Sequence, residues 1–125
     1  MYASTFIFRP GQYDAAFHRL DETIADIARG IAGYLGEEAW QSADGTLIQN
    51  VYYRESEAAL KPLISHPAHI EAKRQQARWL DGYRVVIAQV LHQYGDGKLP
   101  MFANTSAEAA EPAASADGGN RAAAD

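Results

Sequence analysis

The sequence predicts an α+β domain: a four-stranded antiparallel sheet in the order strand, helix, strand, strand, helix, strand (βαββαβ), with both helices on one face. Three observations lead there. Segments rich in aromatic and β-branched residues stand at both ends of the first 93 residues, Tyr2–Arg9 (Y-A-S-T-F-I-F-R) and Tyr83–Gln93 (Y-R-V-V-I-A-Q-V-L-H-Q). Between Asp14 and Ile31 the apolar residues Phe17, Leu20, Ile24, Ile27 and Ile31 recur at steps of three and four, the spacing of a one-sided helix. Asp44-Gly45 then separates two further strand-like stretches, a pair that tolerates the positive φ a tight hairpin demands.

The first strand ends at Pro10-Gly11, and Asp14 is placed to cap the first helix, which closes near Gly30. Tyr34–Gln41 and Thr46–Arg54 are the hairpin strands. Ser56 caps a short helical segment through Leu63, which Pro62 ends or kinks. Pro67 opens the second main helix, with His66 just ahead of it, and Asp81-Gly82 is expected to end it. The apolar run of the last strand is too continuous for one bare face, so both its faces are expected to be covered. Residues 1–100 make up the domain, and 101–125, an Ala-rich stretch with almost nothing to bury after Phe102, reads as a disordered tail.

Two helices cover one side of such a sheet. The other side, expected to hold Phe6 or Ile7, Ile48, Val86 and Val90, is too apolar for a monomer to leave in water. A second copy of the chain is the natural cover, and the expected homodimer would trap a ligand cavity between the two sheets.

Composition removes several classes of function. There are no cysteines, so disulfides, thiolate metal sites and cysteine nucleophiles are excluded, in keeping with a reducing cytoplasm. The formal net charge is −5 and about half of the excess sits in the tail; the cations nearest to a patch are Lys73, Arg74 and Arg78, so nucleic acid is not an expected partner. No export signal is visible at the start, and no window nears the roughly 18 apolar residues of a membrane span, so no membrane partner is expected. Neither a Ser-His-Asp arrangement nor a phosphate loop has a matching signature, and no His/Asp/Glu cluster has metal-site spacing.

One segment carries a family resemblance. His66–Gly95, with its His-Pro-x-His start, the aromatic residue ahead of Tyr83 and the closing Tyr94-Gly95, resembles the second helix and last strand of the antibiotic biosynthesis monooxygenase family. The element order over residues 2–95 agrees, and the tail lies outside. The resemblance implies a ferredoxin-like domain that dimerises into an α+β barrel. It also implies, for some members, oxidation of phenolic or quinol-like molecules by dioxygen without a cofactor, and for a related branch, heme degradation. That branch would place an asparagine on strand one and a tryptophan and an iron-ligating histidine on the second helix. The corresponding positions hold Ser4, Pro62 and Ala72, which tells against heme chemistry unless His66 or His69 ligates iron instead.

Cofactor-free oxygenation requires a substrate that reduces dioxygen once deprotonated, a base titrating near neutral pH, and donors to hold the anion. His66 and His69, one helical turn apart, are the candidate bases. The competing reading has His66 closing the helix start and His69 at the surface. Asn50 is the candidate donor, because an amide in mid-strand must find partners; it shares a face with Ile48 and Tyr52, while Gln49 shares one with Leu47, Val51 and Tyr53. An interface hydrogen bond is the alternative for either amide. Tyr52, Tyr53, Trp79 and Tyr83 are candidate aromatic walls for a small aromatic ligand, as against ordinary core packing. Arg84 would bind an anionic group or pair with a nearby carboxylate. The leading expectation is therefore a cofactor-independent monooxygenase; the alternatives are a non-catalytic dimeric binding protein and a heme-binding protein.

Overall fold

In the computed structural model, which describes residues 1–102, the chain forms β1 (Tyr2–Pro10), α1 (Ala15–Gly30), β2 (Tyr34–Gln41), β3 (Ile48–Arg54), a 3-10 turn (Glu57–Leu60), α2 (Lys61–Ile64), α3 (Pro67–Trp79) and β4 (Leu80–Gln89). The strands make one antiparallel sheet in the order β2-β3-β1-β4. This is the predicted βαββαβ arrangement, an α+β ferredoxin-like sheet under helices. Of the expected tail, 101–125, all but Met101 and Phe102 lies outside the described residues.

Local chemistry sets the helix ends. The Asp14 carboxylate accepts from the Phe17 amide at 2.8 Å, a side-chain cap on α1, and its second oxygen accepts from Arg78 of α3 at 2.8 Å. The Phe17 hydrogen bond, foremost, keeps the Asp14 carboxyl below its usual pKa, with Trp79 and Arg78 adding to it. At α3 it is the His66 ring that caps: Nδ1 accepts from the Ala68 amide at 3.0 Å, and Pro67 occupies the first helical position. In the β2–β3 hairpin the Asp44 carboxylate accepts from the Ser42 hydroxyl and from both the amide and hydroxyl of Thr46, while Gly45 takes φ 76°. Those bonds, that to the Thr46 amide first, lower the Asp44 pKa to about 2.

Residues directly opposite across an antiparallel pair share a face, so the register sorts the sheet. Phe6 pairs with Asn50 and Val85, Phe8 with Ile48 and Tyr83, and Ser4 with Tyr52 and Ile87. Phe6 and Phe8 pack in one core with Phe17, Ile24 and Ala28 of α1 and with Ala72 and Trp79 of α3. The side of the sheet carrying Phe6, Ile48, Asn50 and Tyr52 is therefore the helix side. Thr5, Ile7, Gln49, Val51 and Tyr53 alternate onto the bare side with Trp40, Arg84 and Val86.

Three expectations about the sheet are corrected. Ile48 belongs to the core rather than to the bare face, and so does Phe6, leaving Ile7 and Val86 as the apolar residues of that set within the bare-face strands. The last strand begins at once after α3 rather than at Tyr83, because Leu80 turns inward to close the core and Asp81 and Gly82 continue as strand. β4 is also an edge strand, not a strand covered on both faces: Tyr83 is 49% exposed and Val86 40%. Its apolar run reads like an interior strand because the sequence does not reveal what lies beyond the edge.

Beyond β4, the Val90 amide donates to the Met1 carbonyl at 2.9 Å, Leu91, Tyr94 and Leu99 stand in solvent, and the chain then returns to the sheet. Phe102 is buried on the bare face, stacked on Tyr53 at 4.6 Å between centroids. Gly36 makes room for it, since a Cβ at that position would lie 2.2 Å from the Phe102 ring.

Candidate functional site

The helix layer meets the sheet around a small, mostly apolar cavity. α1 contributes Phe17, Leu20, Asp21 and Ile24, α3 contributes Ala72, Gln76 and Trp79, and Phe6 and Leu80 close the sheet side. Its free volume is about 10 Å³, room for about one water molecule. The cavity thus forms inside one chain, on the helix side of the sheet. The cavity expected between two paired sheets would lie on the bare face, on the opposite side of the sheet from this one.

The polar groups around the core arise from two periodicities. On α3 the inward stripe is His69, Ala72, Gln76 and Trp79, at steps of three, four and three. His69 is buried one turn before Ala72, so the expectation of a surface histidine does not hold. On the helix side of the sheet a band of buried polar residues runs across three strands: Ser4 on β1, Asn50, Tyr52 and Arg54 on β3, and Glu37 on β2. Asn50 stands opposite Phe6, a wall of the cavity. The Arg54 guanidinium lies 5.4 Å from the Tyr52 ring centroid, a cation–π distance.

At the β2 end of the band, the Glu37 carboxylate accepts from Arg29 Nε at 2.9 Å and Nη2 at 3.3 Å, a two-pronged bridge to the last turn of α1. It also accepts from the Tyr34 hydroxyl at 2.8 Å. Burial, with that hydrogen bond added, raises the Tyr34 pKa to about 12. On the opposite face Tyr53 donates to Glu38 at 3.0 Å, and burial, then the Glu38 charge, again raises its pKa to about 12. Among the described residues no group of three or more His, Asp or Glu is arranged to hold a metal ion.

The structure divides the residues singled out from sequence. Trp79 lines the cavity, Tyr52 and Asn50 are buried on the helix side of the sheet, and His69 is buried on the inward stripe of α3. His66 is set apart from them, its Nδ1 occupied as the cap of α3. Tyr53 lies on the bare face, and Tyr83 and Arg84 are exposed on the edge strand, so none of the three contributes to the cavity. Arg84 has no carboxylate within ion-pair distance among the described residues, against the expectation of a pairing. Sequence reasoning passed over Asp21, Glu37, Arg54 and Gln76. Glu37 carried a usable signal, as a carboxylate in mid-strand is disfavoured unless it is paired. Gln76 carried another, a polar residue on the same stripe as Ala72 and Trp79.

No family model matches the chain, and no curated protein matches it. Solved structures do. Rv0793 from Mycobacterium tuberculosis aligns with a TM-score of 0.62 at 20% identity, over 75% of this chain and 98% of that one. SnoaB, a cofactor-independent oxygenase from Streptomyces nogalater, aligns with a TM-score of 0.61 at 9% identity, over 76% of this chain and 97% of that one. The chain has the antibiotic biosynthesis monooxygenase fold. A Deinococcus radiodurans protein described as a candidate member of that group aligns likewise, with a TM-score of 0.60 at 12% identity, over 77% of this chain and 98% of that one. The antibiotic biosynthesis monooxygenase fold spans nearly the whole of each of these neighbours, so what they share with this chain is the entire sheet-and-helix unit. No helix among the described residues is long and apolar enough to cross a membrane.

Proposed function

We propose that this chain is a member of the antibiotic biosynthesis monooxygenase family that binds a small aromatic or quinol-type molecule under α1 and α3 and oxidises it with dioxygen, without a cofactor. The observation that carries the reading is the apolar, aromatic-walled cavity of Phe6, Phe17 and Trp79, with buried Asn50 opposite Phe6 in the sheet and buried His69 on the inward stripe of α3, in a fold shared with a cofactor-independent oxygenase. In this reading His69 takes the substrate proton, Asn50 donates to the resulting anion, and the substrate supplies the electrons. For a methylene flanked by activating groups, one dioxygen inserts one oxygen as a carbonyl and leaves as water with both methylene hydrogens. With the cavity at about 10 Å³, α1 and α3 must part to admit such a molecule. We place the dimer contact on the opposite face, where Ile7, Trp40 and Val86 are the apolar surface to be covered and Trp40 is 59% exposed.

Oxygen uptake during aerobic incubation with anthrones and electron-rich phenols tests the catalytic step. Turnover that Asn50→Ala and His69→Ala each abolish supports it. No uptake with any of these substrates ends it. A second reading, a dimeric binding protein without chemistry, uses the same cavity; a ligand that raises the melting temperature and is recovered unchanged supports that one.

A further inference from the structure

Two side chains bring a carboxylate and an amide into the otherwise apolar lining of the cavity, Asp21 from α1 and Gln76 from α3. They come from the two helices that must separate for entry, so a ligand group seated between them touches both sides of the opening. Close by, Tyr13 stacks on Phe17, a cavity wall, at 3.9 Å between centroids. Its hydroxyl is buried and has no hydrogen-bond partner among the described residues. Burial, and then the Asp21 charge, raises its pKa to about 12, so it stays a hydroxyl, able to donate, at neutral pH. Asp21 and Gln76 are thus the polar side chains lining a space otherwise walled by residues such as Phe17, Leu20 and Trp79.

We propose that Asp21 and Gln76 form a hydroxyl-recognising end of the cavity, Asp21 accepting a hydrogen bond from an O–H on an aromatic ligand while the amide of Gln76 orients it. This rests on the proposed binding of an aromatic molecule under α1 and α3 and adds its selectivity: hydroxylated rings are taken, and their methyl ethers, which fill the same apolar space but have no proton to give, are discriminated against. A hydrogen bond to a carboxylate in a site closed to water is strong enough to decide between two such ligands. Asp21 is here a specificity residue.

The test is calorimetric titration of the full chain with 1-naphthol and with 1-methoxynaphthalene. The wild type is expected to bind the naphthol about tenfold more tightly. Asp21→Leu is expected to remove that preference while the ether still binds, and Asp21→Asn, which keeps an acceptor oxygen but loses the charge, to reduce it. Gln76→Leu is expected to weaken naphthol binding more than ether binding. A preference that persists unchanged in the Asp21 variants overturns the inference; should Asp21→Leu not fold, the Asp21→Asn ratio decides in the same way. Equal binding of both ligands by the wild type overturns the selectivity alone. Failure of both ligands to bind overturns the pocket itself, and the selectivity with it.

Discussion

Gly36→Ala should act through a residue far away in sequence. An added Cβ would sit 2.2 Å from the Phe102 ring, a separation no non-bonded carbons tolerate, so the ring must leave its slot against Tyr53. Phe102 is 7% exposed there, and returning a nearly buried phenylalanine side chain to water costs about 2 kcal/mol. Phe102→Ala removes the same contact without touching the strand and should cost about as much. Gly36→Ala also carries the strain of a Cβ at φ 155°, a cost independent of Phe102, so the double variant should be about as unstable as Gly36→Ala alone, giving a coupling of about 2 kcal/mol. Urea unfolding of the four proteins, at one protein concentration, measures it. Additive losses would refute the reasoning by showing that Gly36 and Phe102 act independently. Because the slot lies on the face proposed for dimerisation, sedimentation of the same variants also reports whether vacating it changes association.

His66→Ala should lower stability by about 1 kcal/mol through the lost cap of α3, and His66→Asn should restore most of it, as followed by thermal unfolding; loss of ligand binding without loss of stability would contradict the capping role. Leu63→Ala, at a fully buried position, should cost about 2–5 kcal/mol in the same assay. Tyr13, Tyr34 and Tyr53 titrate near 12 when folded, above the ordinary value of 10, so their contribution to stability is complete below pH 10 and is lost as the pH rises from 10 to 12. Stability measured across that range should therefore fall, and a flat profile would contradict it. Asp44, held down to about 2, should withdraw its contribution only as the pH falls from about 4 towards 2; Asp44→Ala should flatten that part of an acid unfolding curve.

How far the sequence reached differs from element to element. The helix of Phe17, Ile24 and Ala28 and the Asp44-Gly45 hairpin were legible because their signals are local: a period of 3.6, a cap, a turn that needs positive φ. Strand alternation likewise placed Asn50 with Ile48 and Tyr52. It could not tell which of the two faces the helices cover, since a period of two is symmetric until a partner layer breaks it. That choice, made when Phe17, Ala72 and Trp79 pack on Phe6, sets the described cavity on the helix side and His69 inside, while the strand order leaves Tyr83 and Arg84 on an edge. The chain order and chemistry of the elements follow from neighbouring residues, whereas Arg29 meeting Glu37, Asp21 and Gln76 lining one cavity and Phe102 filling the space at Gly36 join positions that only the packed layers bring together.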